Sequence, residues 1–145
     1  MSIYKRNQRG FTLIEIMVVV VILGILAAIV VPRLLDEPEK ARRTSAATQI
    51  RSFESALGIF KLENGFYPST EQGLQALVTK PTDGRIPGRY KAGGYIKKIP
   101  LDPWNQPYLY LNPGVHGDFD LFSYGLDGET GGEGENADVS NWNLD

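Results

Sequence analysis

The residues best equipped for chemistry lie near the end of the chain. Between Gly125 and Asp138, Gly125, Gly128, Gly131, Gly132 and Gly134 are interleaved with Asp127, Glu129, Glu133, Glu135, Asn136 and Asp138. Hard oxygen donors on a chain that can turn tightly suit Ca²⁺, which takes about six to eight carboxylate and carbonyl oxygens in flexible geometry. The spacing is not that of an EF-hand: counted from Asp127, the third and fifth positions are Glu129 and Gly131, and the required downstream glutamate is missing. A glycine-rich calcium repeat fits only once, over Gly131–Asn136, with Asn136 where aspartate belongs. Composition alone favours a solvated acidic tail over a metal loop. Trp142 argues the other way, because so large an aromatic near the end of a chain is expected to be anchored in a core.

A second carboxylate sits in an unusual place. Glu15 is the one charge in an apolar run from Phe11 to Val31, 21 residues long. A helix of that length spans roughly the 30 Å hydrocarbon core of a bilayer. A charge there costs about 2.5–3.5 kcal/mol at the centre and less near the interface. Lys5, Arg6 and Arg9 precede the run and should stay cytoplasmic, which places everything after Val31 outside the cytoplasm. A cleaved secretory signal fits poorly, because the run is too long and Ala27-Ala28 is followed by more apolar residues. A plain single-pass anchor explains the length and the basic flank but not Glu15.

Catalysis finds little support. His116 is the only histidine and lies in a glycine-rich turn, there is no cysteine, and no serine sits in a G-x-S-x-G elbow. Pairing of His116 with Asp118 or Asp120 is conceivable, but a solvent-exposed turn histidine is the expectation. The spacing of Asp127, Glu129 and Asp138 does not favour two-carboxylate glycosidase chemistry over solvation or metal binding. The net charge of −2 splits into +3 from Lys5, Arg6 and Arg9 and −5 from the rest, which argues against nucleic acid as a partner. Without cysteine, no disulfide can staple the domain.

Periodicity sets the scaffold on which these residues are carried. Pro32 ends or bends the apolar helix, and Asp36, Pro38 and Glu39 read as a helix restart with a capping box. Ala46, Ile50, Phe53, Leu57 and Phe60 then form one apolar stripe, expected to pack on the chain's own sheet, and Asn64-Gly65 closes the helix. Ser69 with Gln72 opens a short helix through Val78, and Pro81–Gly94 reads as loop. Tyr108–Leu111 and Phe119–Tyr124 are strand candidates, with Tyr95-Ile96 a third. The architecture expected is α+β: a long helix on a small antiparallel sheet.

Arg9-Gly10-Phe11-Thr12-Leu13-Ile14-Glu15 resembles the prepilin leader of type IV pilins and pseudopilins. Tyr67–Leu74, Leu101–Trp104, Gly117 with Phe119–Ser123, and Asp138–Trp142 are similar to the major pseudopilins of the type II secretion system. The resemblance covers essentially the whole chain, and it implies a pilin-like fold. Residues 1–10 would be a leader, cut after Gly10 by a prepilin peptidase that then methylates the Phe11 amine. Residues 11–31 would be the membrane and polymerisation helix, and 32–145 the periplasmic domain. The subunit would wait in the inner membrane until an assembly platform and ATPase extract it, with minor pseudopilins, into a periplasmic filament that exports folded proteins. A calcium ion would be held by Asp127 and Asp138, with the carbonyls of Tyr124 and Val139, which reverses the compositional reading of the acidic loop.

The free amine of Phe11 would carry a positive charge at neutral pH. It could meet Glu15 four residues on along the helix, or Glu15 of another copy, making Glu15 and Phe11 the assembly pair. The alternatives are a minor pseudopilin or a pilin of a related machine, or a non-polymerising, membrane-anchored calcium-binding module.

Overall fold

The computed structural model describes residues 10–144, the side chains of 30–37 and of Glu135 excepted. The expected leader, 1–10, therefore lies outside the described residues apart from Gly10. The chain divides into two compact units, Met1–Pro38 and Glu39–Asp145.

Helix α1 covers Leu13–Asn64, 52 residues. At its start the Thr12 hydroxyl accepts the backbone N–H of Glu15 at 3.3 Å, an N-cap that satisfies one of the orphan donors of the first turn. Every described side chain from Phe11 to Ile29 is exposed. Among the described residues no helix is long and apolar enough to cross a membrane. The described side chains of the apolar run stop at Ile29, short of the expected 11–31 segment.

The expected helix restart at Asp36–Glu39 is not found: the backbone is helical through Pro32 and Pro38. A proline deletes one donor, which a helix this long can lose without ending. Glu39 does not reach back as a cap. It is 6% exposed, and its carboxylate accepts the indole N–H of Trp104 at 3.0 Å.

In the second unit the predicted stripe is the core face. Ala46, Ile50, Phe53, Leu57 and Phe60 are all buried, joined by Leu74 and Leu77, and by Tyr108, Tyr110, Phe119, Leu121 and Val139 from the sheet side. Phe53 meets Tyr108 edge-on at 5.3 Å, and Phe60 meets Phe66 at 5.6 Å. The helix ends as expected, with Gly65 at φ 82° donating to the Lys61 carbonyl at 2.7 Å.

The sheet has three antiparallel strands in the order β1 (Leu109–Leu111), β2 (Asp120–Ser123), β3 (Val139–Ser140). Tyr110 pairs with Leu121, and Ser123 with Val139. The third strand is thus Val139–Ser140 and not Tyr95-Ile96. Tyr95 and Ile96 both donate their N–H groups to the Leu77 carbonyl, which fixes them to the preceding turn rather than to a ladder. The approach is close: Gly94, at φ 80°, would place a Cβ 2.6 Å from the Val78 carbonyl oxygen.

The capping box of Ser69 and Gln72 forms reciprocally, at 3.3 and 3.1 Å. It opens a run of turns and then the expected short helix, which is a 3-10 helix over Leu74–Leu77 with Val78 as its C-cap. The segment 81–94 is loop, pinned by the Gln72 amide, which donates to the carbonyls of Asp83 and Arg85.

A tight loop lies around Asp102, a carboxylate 4% exposed that accepts the N–H groups of Trp104 and Gln106 and the Ser123 hydroxyl at 3.0, 2.7 and 2.5 Å. A buried carboxylate with three donors is satisfied, so this one organises the chain between α1 and β1.

Candidate functional site

Two regions carry the predicted site residues, one in each unit. In the second unit the glycine-rich loop closes on itself. The N–H of Asp138 donates to the Gly131 carbonyl at 3.2 Å, and the Gly131 N–H donates to Asp138 Oδ2 at 2.9 Å. Gly132 has φ 81°, and a Cβ there would collide with the Asn136 carbonyl, so the turn admits only glycine at this point.

Of the Asp138 carboxylate, Oδ1 is buried and has no hydrogen-bond partner among the described residues. Asp127 is exposed and its carboxylate accepts the Glu129 N–H at 3.1 Å, a local turn contact. No described hydrogen bond joins Asp127 to Asp138. Val139 is buried in β3, and Tyr124, half-buried, packs its ring edge against Phe122 at 5.4 Å. Among the described residues no group of three or more His, Cys, Asp or Glu side chains is placed to hold a metal.

The C-terminal segment is tied down by contacts that sequence reasoning missed. Arg43 on α1 donates to the carbonyls of Ala137 at 2.5 Å and Asp138 at 3.5 Å, and Arg51 donates to the Leu144 carbonyl at 3.3 Å. These pairs lie more than ninety residues apart in the chain, and nothing local in the sequence marks them. Asn141 extends the pairing of β2: its side-chain oxygen accepts the Leu121 N–H at 2.9 Å, and its own N–H donates to the Leu121 carbonyl at 2.9 Å.

Trp142 is not sunk in the core, as expected from its size, but is 41% exposed. Its indole stacks on the His116 ring, centroids 3.9 Å apart and planes 7° off parallel, and Phe122 lies edge-on at 5.7 Å. His116 is half-exposed, as a turn histidine should be, yet it also pairs with Asp120 at 3.0 Å. Burial pushes the Asp120 carboxyl up, but the His116 ring and the N–H groups of Val115 and His116 outweigh it and hold Asp120 below the usual aspartate range.

In the first unit Gly10 and Phe11 precede the helix, and Phe11 is 77% exposed. In this uncut chain the helix starts at Leu13, so Phe11 lies two residues ahead of it and Glu15 in its first turn. Thr12 is the N-cap of this helix, and the T-x-x-E spacing of Thr12 and Glu15 is the sequence signal that could have located it.

A helix whose described side chains from Leu13 to Ile29 are exposed and apolar but for one glutamate, and whose later part packs on a small antiparallel sheet closed by a glycine-rich loop, defines a pilin-like structural subunit. Comparison with known proteins carries this further. Residues 33–142 match the family described as type II secretion system (T2SS), protein G, and residues 5–31 match the prokaryotic N-terminal methylation motif. The type II secretion system core protein G of Vibrio cholerae is 57% identical over 139 residues, covering 96% of this chain and 94% of that protein. Its counterpart in Pseudomonas aeruginosa is 55% identical over 138 residues, covering 95% and 97%. The crystal structure of the major pseudopilin from the type 2 secretion system of enterohaemorrhagic Escherichia coli superposes with a TM-score of 0.69 at 43% identity, covering 77% of this chain and 92% of that one. The chain belongs to the type II secretion protein G family, the major pseudopilins: structural proteins that carry an N-terminal methylation motif, not enzymes.

Proposed function

We propose that the chain is the polymerising subunit of a type II secretion pseudopilus. It would be cut after Gly10, N-methylated at Phe11, held in the inner membrane by residues 11–31, and drawn into a periplasmic homopolymer that drives export of folded proteins. The observation that carries this is the exposure of the whole apolar face from Phe11 to Ile29, with Leu13 81% and Ile14 70% exposed. At about 25 cal/mol per Å² of apolar surface, such a helix cannot stay in water, and its natural covers are lipid while the subunit is alone and like helices once it assembles. The partners this implies are the prepilin peptidase, the assembly platform with its ATPase, and the minor pseudopilins. The test is the intact mass of the protein recovered from membranes. Loss of Met1–Gly10 with gain of one methyl group is expected, and an unprocessed full-length mass would overturn the reading.

The C-terminal loop fits a bound Ca²⁺. Asp138 Oδ1 is a buried carboxylate oxygen without a donor among the described residues, a group that costs about 1–3 kcal/mol when unpaired and that a hard cation satisfies. Asp127 and Asp138 would be the side-chain ligands, with the carbonyls of Tyr124 and Val139. In a domain without cysteine the ion would supply the staple that a disulfide supplies elsewhere.

A further inference from the structure

We propose that Arg43 is the positioning residue of the cation loop, a strap from helix α1 that aims the Asp138 carboxylate. The inference rests on the reading of Asp138 as a calcium ligand. The peptide group between Ala137 and Asp138 is planar and has two polar ends. Its N–H donates to the Gly131 carbonyl at 3.2 Å, and its carbonyl accepts Arg43 Nη1 at 2.5 Å. With both ends taken, the plane cannot rotate, and the direction in which Asp138 leaves the backbone is set. The second guanidinium nitrogen reaches the Asp138 carbonyl at 3.5 Å, on the far side of the same Cα. The next residue, Val139, is fixed by its pairing with Ser123. Asp138 is thus held on three sides, by Gly131, by β3 and by Arg43, while its Oδ1 has no donor among the described residues.

An arginine fork on a rigid element suits this task. Arg43 is half-buried on α1, one turn before Ala46 of the core stripe, so its backbone is fixed by the packing of that helix. Its planar head offers two parallel donors, whereas a lysine offers a single ammonium on a flexible stem. Arg51 supplies a control within the same molecule. It makes the same kind of contact from α1, to the Leu144 carbonyl at 3.3 Å, and among the described residues it makes no hydrogen bond to Ala137 or Asp138.

Charge and position predict opposite signs. A cation near a Ca²⁺ site repels the ion, so if Arg43 acted only through its charge, R43Q would tighten binding. If it acts by orienting Asp138, R43Q loosens binding despite removing a positive charge, and loss of such a supporting contact typically costs about 10–100-fold in metal affinity.

The test is calorimetric titration of calcium chloride into the full-length chain in detergent micelles, with thermal melting of each variant in chelator. Wild type should bind, and D138N should abolish binding. R43Q should weaken binding about tenfold or more, R43K should fall between it and wild type, and R51Q should lower the melting temperature with affinity unchanged. Equal or tighter binding by R43Q, or an equal loss from R51Q, overturns the role of Arg43 while leaving the site standing. Should R43Q fail to fold, R43K decides alone: wild-type affinity overturns the role and a several-fold loss supports it. A wild-type chain that binds no calcium, or binds it as well when D138N is introduced, overturns the site and this inference with it.

Discussion

Asp120 shows how one side chain can fasten the end of the chain to the turn before β2. Its carboxylate gathers two backbone N–H groups and the His116 ring, and that ring lies flat against Trp142. Because the folded state holds this carboxyl below its usual range, the stabilisation it contributes is complete above the unfolded-state value near pH 4 and is lost as pH falls through the folded value. Melting temperature measured from pH 6 down to pH 3 should therefore fall along an acid limb that is shallower in D120N. That variant should also lose roughly 1–3 kcal/mol at neutral pH, since one acceptor oxygen becomes a donor facing donors. At this scale the sequence was partly readable. Asp127 and Asp138 stand out by type and by family resemblance, and the Thr12–Glu15 cap is written as T-x-x-E. Arg43 and Asn141 are not readable, because their work is defined by carbonyls and strands that only the fold brings to them.

Elements were legible in proportion to their length. The stripe from Ala46 to Phe60 repeats often enough to declare a helix and its buried face, and all five positions are in the core. Phe60 is fully buried, with Phe66, Tyr90 and Tyr95 ringed about it at 5.6, 6.5 and 5.3 Å. F60A should therefore cost about 3–5 kcal/mol, read as a lower urea midpoint with unchanged slope in tryptophan fluorescence. Strands of two to four residues have no such redundancy. Val139-Ser140 is too short to display a period, while Tyr95-Ile96 has β-forming residues but spends its N–H groups on Leu77. Pro38 misled for the opposite reason: with Asp36 and Glu39 it is a strong local signal for a helix start, and a long helix overrides it.

For the molecule as a whole, two dependencies arise from what the fold lacks. It has no disulfide, so the loop from Gly125 to Asp138 relies on Gly131, Arg43 and, if Asp138 is a calcium ligand, the ion itself. Calcium at a hundredfold excess over its Kd adds about 2.7 kcal/mol to a native state that alone binds it. Chelator should accordingly lower the melting temperature of wild type by several degrees and that of D138N not at all, and a wild-type curve unmoved by chelator would count against the ion. The fold also leaves its first helical stretch uncovered, and there Glu15 is the costly residue. A monomer in lipid is better without it, by about 2.5–3.5 kcal/mol at the bilayer centre and less near the interface. A polymer is better with it if the amine of a processed Phe11 from another copy docks against the carboxylate. Two unit charges 4 Å apart gain roughly 4 kcal/mol at an effective dielectric of 20, before desolvation is subtracted. Converted whole, that is about three orders of magnitude in the affinity of each contact. E15L should then insert into membranes at least as well as wild type and be processed normally, yet fail to form filaments when sheared fractions are compared by electron microscopy and cross-linking. Filaments of normal length from E15L would show that Glu15 answers to something other than assembly.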